Sequence, residues 1–313
     1  MSFSEKDTRW GILYCPKRGF KSNSKHRERL VRVLDAKGVS YDLVQSESVE
    51  GVQRLTRMLI NNGYSTIVIV GGDTALNDAV NCLMDMEKSV RERVALGLIP
   101  HGILNDFAKF WNYREANIEQ TVDWLTAHRV RAIDLGCIRY RDKFDKECHR
   151  YFVNCVNIGF IADMMNLRRQ TRSIIGSRRL SWMLSLLLMV FHRMDYKMRL
   201  TINSETIQRR VMNLCVGNGP GYGQTPNAVP YNGWLDASLV CQPALLQFFA
   251  GLWLLISGRF LNHKNVFPYR TRCVEIQEAP HALVSLDGKV FASPKGAFRI
   301  TIDKEVIRFL IPE

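Results

Sequence analysis

No apolar run in this chain is long enough to cross a bilayer. The longest, residues 182–191, is interrupted by Ser185 and falls short of the roughly 20 residues that a spanning helix needs. Cysteine occurs at 15, 82, 137, 148, 155, 215, 241 and 273, yet no pair stands at C-x-x-C or another metal-ligand spacing. That excludes a zinc ribbon or finger, and Cys82 and Cys155, set in apolar patterns, read as small core residues. Residues 1–7 lack a secretory apolar segment, so a reducing cytoplasm is the expected compartment. There is no internal repeat and no low-complexity linker, which argues against a repeat array. Acidic residues are in deficit, 30 Asp and Glu against 43 Lys and Arg, for a net charge of +13. Such a balance favours an anionic partner: nucleotide, nucleic acid or an acidic membrane surface. No nucleic-acid-binding motif accompanies the charge, so nucleic acid is not the expected partner.

What is present suffices for two domains with cores of their own, given 313 residues of which 46% are apolar. Residues 1–125 alternate strand and helix signals. Residues 11–15, 41–45, 67–70 and 95–99 read as strands, and 25–36 as a polar helix. Val52, Leu55, Met58 and Leu59 form a helical stripe, a further helix runs through Leu76, Val80 and Leu83, and another follows Asn117. This is the βαβ pattern of a doubly wound parallel sheet. Beyond His128 the character changes to a period of two. Strands are expected at 131–138, 151–157, 196–203, 211–216, 239–241, 273–277 and 283–286, with a turn at Asn203-Ser204-Glu205. The tail alternates at Phe298, Ile300 and Ile302, then over 306–311, and is expected to return to the first domain. The division expected is 1–128 with 298–313 for an α/β nucleotide-binding domain, and 129–297 for a β-rich antiparallel domain, with the active site in the cleft between them.

The chemistry-bearing segment is Val68-Ile69-Val70-Gly71-Gly72-Asp73. A short buried strand ends in two glycines, and a helix starting near Leu76 turns its positive end to the same spot. In open α/β sheets phosphorylated ligands sit there. Residues 98–108 repeat the logic around Pro100, His101, Gly102, Asn105 and Asp106. The turn Pro16-Lys17-Arg18-Gly19 follows the first strand and also suits phosphate.

In this order the segments resemble the diacylglycerol kinase catalytic-domain superfamily, bacterial lipid kinases and sphingosine kinases included, over nearly the whole chain. The family's Asn-Pro-x-Ser-Gly corresponds to Cys15-Pro16-Lys17-Arg18-Gly19, and its Gly-Gly-Asp-Gly-Thr-Leu-Asn-Glu to Gly71-Gly72-Asp73-Thr74-Ala75-Leu76-Asn77-Asp78. Its Pro-x-Gly-Thr-x-Asn-Asp-Phe-Ala corresponds to Pro100-His101-Gly102-Ile103-Leu104-Asn105-Asp106-Phe107-Ala108. Asn157 to Phe160, Val216 to Gly219, Asn227 to Asp236, and Asp287-Gly288-Lys289 for Asp-Gly-Glu complete the series. The resemblance implies a diacylglycerol kinase or NAD kinase-like fold and an ATP-dependent lipid kinase using Mg2+.

Carried over residue by residue, it casts Pro16, Lys17, Arg18, Gly19, Gly71, Gly72, Thr74, Gly102, Asn105 and Asp106 as nucleotide-binding. Asp73 becomes the metal-positioning residue and Asp287 the acceptor-activating one. Each has a plainer reading. Asp73 caps the helix that follows it, Asn105 and Asp106 simply start a helix, Asp287 belongs to an Asp-Gly hairpin turn, and His101 is a loop residue. The departures cluster at the chemistry. Thr74 replaces a glycine, at a cost of about 1–2 kcal/mol if the loop needs positive φ there, although its hydroxyl could instead serve phosphate. Ala75 and Ile103 remove hydroxyls, Lys289 replaces the expected base, and Tyr231-Asn232 replaces an acidic pair associated with a structural magnesium.

Arg168, Arg169, Arg172, Arg178 and Arg179 precede the 182–191 stretch, and a second apolar helix over 244–256 carries Phe248, Phe249 and Trp253. Basic residues beside such helices suit peripheral docking on the anionic inner face of a membrane, where a lipid acceptor would be found; two core helices are the alternative. Three rival functions stay open: a nucleotide-binding pseudokinase with a regulatory role, a kinase for a soluble substrate such as NAD, and a nucleic-acid binder. A homodimer is left open.

Overall fold

The computed structural model describes residues 9–17, 23–47, 49–102, 105–142, 144–175, 195–241, 245–292, 294 and 296–312. They form two compact units, Met1–Leu135 with Asp303–Glu313, and Gly136–Ile302. The boundaries fall inside β5 (Val130–Arg141) and β15 (Phe298–Leu310), so the chain changes unit within strands rather than at linkers.

In the first unit β1 (Trp10–Tyr14), β2 (Tyr41–Gln45), β3 (Thr66–Gly71) and β4 (Ala95–Pro100) pair in parallel in the order β2-β1-β3-β4. Every position of β1, β3 and β4 is buried, which is why β3 reads as an unbroken Ile-Val-Ile-Val run. The edge strand β2 is only partly covered and carries Asp42 and Gln45. Helices α1 (Asn23–Ala36) and α2 (Val49–Asn61) follow β1 and β2, and right-handed crossovers put them on opposite faces. Accordingly α1 packs on α6 (Ile118–Thr126), while α2 packs on α3 (Asp73–Met84). After β2 the chain crosses back over β1 to lay down β3. The carboxyl ends of β1 and β3 therefore flank the switch point, where an α/β sheet opens a crevice for a ligand. The last residues of β15 join this sheet, with Arg308 and Phe309 opposite Ala95 and Leu96 in parallel. Phe309 stacks on Trp111 at 6.0 Å, and the buried Tyr113 hydroxyl donates to the Leu310 carbonyl at 3.0 Å.

The second unit is antiparallel. Its strands run β14 (Lys289–Ala292), β13 (Leu283–Leu286), β7 (Cys155–Gly159), β9 (Glu205–Gly217), β8 (Tyr196–Ile202), β12 (Cys273–Glu278) and the first residues of β15. β10 (Leu235–Cys241) pairs with β9 and with β11 (Val266–Thr271), and β5 forms a hairpin with β6 (Glu147–Phe152). Ile158, Leu200, Leu214, Val216, Val274, Val284 and Ile300 pack in its core. Among the described residues this unit carries two α-helices, α7 (Phe160–Ile175) and α8 (Leu245–Ile256).

The mixed α/β architecture, a parallel sheet followed by an antiparallel β-rich region, is the one the patterning implies. Local departures have physical causes. The stretch 151–157 is two strands, because the Val153 and Asn154 amides are drawn to a buried carboxylate. β9 begins at Glu205, six residues before its apolar half, since Asn203 and Ser204 at φ 50 and 68 build a tight hairpin turn from β8. α3 starts at Asp73 rather than near Leu76, and the short polar elements α4 (Lys88–Arg93) and β6 carry too weak a period to be read. The 182–191 stretch, Arg178 and Arg179 lie outside the described residues. Among the described residues no helix is long and apolar enough to cross a membrane.

The Tyr113 hydroxyl fastens the chain's tail to the first unit. Tyr113→Phe leaves the ring packing intact and orphans a buried carbonyl, so it should lower unfolding stability by about 1–2 kcal/mol in urea titration. A change too small to measure would show that the bond adds nothing.

Candidate active site

At the carboxyl ends of β3 and β4 two glycine turns meet. A Cβ on Gly72 would come within 2.9 Å of the Gly102 Cα, and one on Gly102 would land on Gly72 itself. Only glycine at both positions lets the two backbones approach this closely. A Cβ on Gly71 would in turn lie 2.9 Å from the Ala75 Cβ, so the small side chain at 75 fits a crowded place.

Asp73 holds this junction together. Its carboxylate accepts hydrogen bonds from the backbone amides of Asp106 at 3.0 Å and Phe107 at 3.2 Å, and the residue is buried. It therefore caps α5 (Asp106–Phe110), which begins 33 residues later. Gly72 is the cap residue of α3 and makes no side-chain capping bond. Thr74 is the second residue of that helix and is absent from the positive-φ positions, so the strain expected of a β-branched residue there does not arise. Asn105 takes the left-handed conformation at φ 53. Its Nδ2 donates to the Gly102 carbonyl, while its Oδ1 is buried with no hydrogen-bond partner. An orphaned amide oxygen beside Asp73 and Asp106 suits a hard cation or a ligand hydroxyl rather than a phosphate oxygen. The Asp106 carboxylate is paired with Lys109 at 2.8 Å.

On the β1 side, Pro16 and Lys17 are described, whereas Arg18, Gly19, Ile103 and Leu104 lie outside the described residues. The Lys17 ammonium is held by both oxygens of Glu115, at 2.7 and 2.8 Å. Glu115 also meets His101 Nδ1 at 2.9 Å. Asn23 locks the Lys17 turn, accepting from its amide at 3.0 Å and donating to its carbonyl at 2.8 Å. His101 is buried and stacked on His26 with centroids 3.7 Å apart, and the Tyr14 hydroxyl lies 3.4 Å from His26 Nδ1 and 3.3 Å from His101 Nε2. Burial, then the neighbouring His101, pulls His26 down to about 4, and burial lowers His101 as well. Burial alone would push Glu115 up, but donation from Lys17 and His101 holds it below the usual carboxylate range. His101 is thus more than a loop residue. His26, Asn23 and Glu115 gave no signal in the sequence, because their positions are related only through the ends of β1, α1 and β4.

The second unit carries Asp287. It forms a two-residue turn with Gly288 between β13 and β14, at φ 44 and 87, as the Asp-Gly pair suggests. Its buried carboxylate accepts from Val153 at 2.8 Å, Asn154 at 3.0 Å and Cys155 at 2.9 Å. Asn154 in turn accepts from the amides of Asn218, Gly219 and Gly221, and Asn157, Asn213 and Gln224 exchange buried amide hydrogen bonds. The short family-like segments of this unit are therefore stitched into one polar network. Lys289 opens β14. Asn232 accepts from the Trp234 amide, and the Asp236 carboxylate is taken by Arg270 at 2.8 Å.

Asp287→Ala should cost about 3 kcal/mol or more by urea unfolding, since three amides lose a charged acceptor, with a smaller loss for Asp287→Asn; a loss under about 1 kcal/mol would refute the stapling role. His26, held near 4 in the folded chain against 6.5 ordinarily, contributes no pH dependence above 6.5. As pH falls from 6.5 towards 4 the unfolded chain takes up the proton first, so stability declines across that window and levels off below it. NMR titration of His26 should show the low midpoint, and His26→Asn should flatten the decline; a midpoint near 6.5 would contradict the burial.

Comparison with known proteins places these features in a family. Residues 9–138 match the diacylglycerol kinase catalytic domain, and residues 154–307 match the YegS C-terminal NAD kinase beta sandwich-like domain. The diacylglycerol kinase of Bacillus subtilis (strain 168) is 19% identical over 292 residues, covering 92% of this chain and 91% of that protein. The crystal structure of a diacylglycerol kinase from Bacillus anthracis str. Sterne superposes with a TM-score of 0.66 at 15% identity, covering 98% of each chain. Yeast NADH kinase complexed with NADH gives a TM-score of 0.56 at 9% identity, over 98% of this chain and 85% of that one. Both structural likenesses concern the fold. With its glycine turns, its Asp-Gly hairpin and both domains matched in order along its length, this chain belongs to the diacylglycerol kinase catalytic-domain superfamily of lipid kinases.

Proposed function

We propose that this lipid kinase is ATP-dependent and moves the γ-phosphoryl group onto the hydroxyl of a diacylglycerol or sphingoid-type lipid. The observation that carries the reading is the contact of Gly72 with Gly102 at the switch point of the parallel sheet, beside the N-terminus of α3. Phosphoryl transfer is chiefly positioning and charge stabilisation, which bare backbone amides and basic side chains supply well. Gly71, Gly72, Thr74 and Gly102 would line the phosphates, with Lys17 beside them from the β1 turn. Asp73 acts as a positioning residue, holding α5 against the first glycine turn. Mg2+ would find oxygen donors in Asn105 Oδ1, Asp73 and Asp106, and when bound it offsets charge on the phosphate oxygens. A loose transition state asks little of a base, so Lys289 in the family's glutamate position is compatible with turnover. Asp287 then serves by holding the 153–155 segment in place.

The acceptor would come from a membrane surface. On α8 the side chains of Phe249, Trp253 and Ile256 are 48%, 70% and 74% exposed, and their spacing sets them along one helical face. An exposed aromatic and aliphatic stripe on a chain of net charge +13 suits peripheral docking on anionic lipid, with the rings in the interface. The pseudokinase reading is favoured by the lysine at 289 and by the hydroxyls missing at Ala75 and Ile103.

The decisive experiment is transfer of label from ATP and magnesium to a lipid extract in anionic vesicles, comparing wild type with Asp73→Asn, both checked for folding by thermal melt. A labelled lipid that falls about 100-fold or more in the variant supports the kinase and identifies the acceptor by mass. Nucleotide-dependent stabilisation without any labelled lipid would replace it with the regulatory reading. Trp253→Ser should reduce vesicle co-sedimentation while leaving nucleotide binding unchanged; undiminished sedimentation would remove α8 from the docking surface.

A further inference from the structure

The His26, His101 and Glu115 side chains come from α1, the turn after β4 and the loop after α5. Each offers one ligand atom, and the three atoms lie within 4.8 Å of one another. The residues around them fix where the protons are. The Tyr14 hydroxyl donates to the Asn23 carbonyl at 2.9 Å, its shortest contact, so its proton is spent there. Asn23 cannot turn its amide round, because Oδ1 accepts from the Lys17 amide while Nδ2 donates to the Lys17 carbonyl. His101 Nε2 therefore faces the Asn23 amide oxygen at 3.1 Å, and its Nδ1 faces a Glu115 oxygen at 2.9 Å. A neutral imidazole has one N–H for these two acceptors. His26 reaches the Tyr14 oxygen through Nδ1, which leaves Nε2 as a buried atom without a hydrogen-bond partner. The cluster thus has more acceptors than donors. A second proton on His101 would serve both of its acceptors, but one on His26 Nε2 would meet no acceptor. A metal cation repairs the count without charging a ring.

We propose that His26, His101 and Glu115 form a transition-metal site of zinc-binding chemistry at the edge of the first unit. Two imidazole nitrogens and one carboxylate oxygen make a set that suits Zn2+ and is poorly matched to Mg2+. Three protein ligands leave a fourth position for water or another oxygen donor. An outer partner is in place behind His26, the Tyr14 hydroxyl. The stacked rings must splay for both lone pairs to reach one ion. Lys17 already sits on both Glu115 oxygens, so metal and ammonium compete for that carboxylate. This inference stands on the geometry of the cluster and does not depend on the acceptor or the nucleotide.

The test is calorimetric titration of the chelator-treated full chain with Zn2+, in wild type and in His26→Ala, His101→Ala, Glu115→Gln and Lys17→Met. The expected result is one equivalent bound by wild type, weakened on the order of 100-fold by each ligand substitution and tightened by Lys17→Met. His26 lies on a partly exposed turn of α1, so its variant keeps the test available should a His101 variant fail to fold. Substitution with Co2+ should give the absorption of a nitrogen and oxygen site without thiolate charge transfer. No bound zinc, affinity unchanged in His26→Ala, or a thiolate spectrum pointing to the free cysteines would each overturn the proposal.

Discussion

Everything at the carboxyl edge of the first unit's parallel sheet depends on two glycine turns touching, Gly72 against Gly102, with a carboxylate clamped across the joint. The contact demands the absence of side chains, and the absence of side chains leaves backbone dipoles as the chemistry of the place. Asp73 supplies the restraint that glycine lacks. By accepting from two amides of α5 it fixes a helix that is only five residues long and could not persist alone in water. The same carboxylate occupies the α5 N-terminus, whereas the start of α3 has a cap residue with no side chain and is left to its backbone amides.

The second unit uses the same device. Asp287 gathers the amides of 153, 154 and 155, and Asn154 passes the restraint on to the Gly219–Gly221 turn. A buried carboxylate is costly to desolvate, and three charge-assisted bonds offset that cost only while all three are made. Both aspartates singled out for chemistry are thus also structural, one in each unit. This explains how departures at neighbouring positions are tolerated. Thr74 sits unstrained in a helix, Ala75 fits against Gly71, and Lys289 begins a strand whose hairpin is set by Asp287 and Gly288.

Charge is distributed with similar economy. A net charge of +13 invites the assumption that each basic residue awaits an anion, yet Lys17, Lys109 and Arg270 are each neutralised by a carboxylate of the chain. An anion that recruits Lys17 has to compete with Glu115, and Glu115 is shared with His101. The two stacked histidines, held uncharged by burial, add a cluster of lone pairs to an edge otherwise rich in donors. On α8 the contrast is with apolar surface, where Trp253 and Ile256 face outward instead of closing a core.

The sequence by itself determined the architecture, because burial on both faces writes itself as apolar runs and burial on one face as alternation. The Ile67 to Val70 run, the helical stripe in α2, the alternation of β8 and the Asp-Gly turn are all local signals of that kind. Glycine pairs at strand ends were legible for the same reason, since a missing side chain is visible without neighbours. Tertiary structure alone decided which groups meet. Asp73 capping a helix 33 residues away, Asp287 reaching back to 153–155, and His26 stacking on His101 involve separations that no period encodes. Hydrogen bonds of buried carboxylates and imidazoles are short-ranged and directional, so their partners exist only once the sheet has brought its strand ends together.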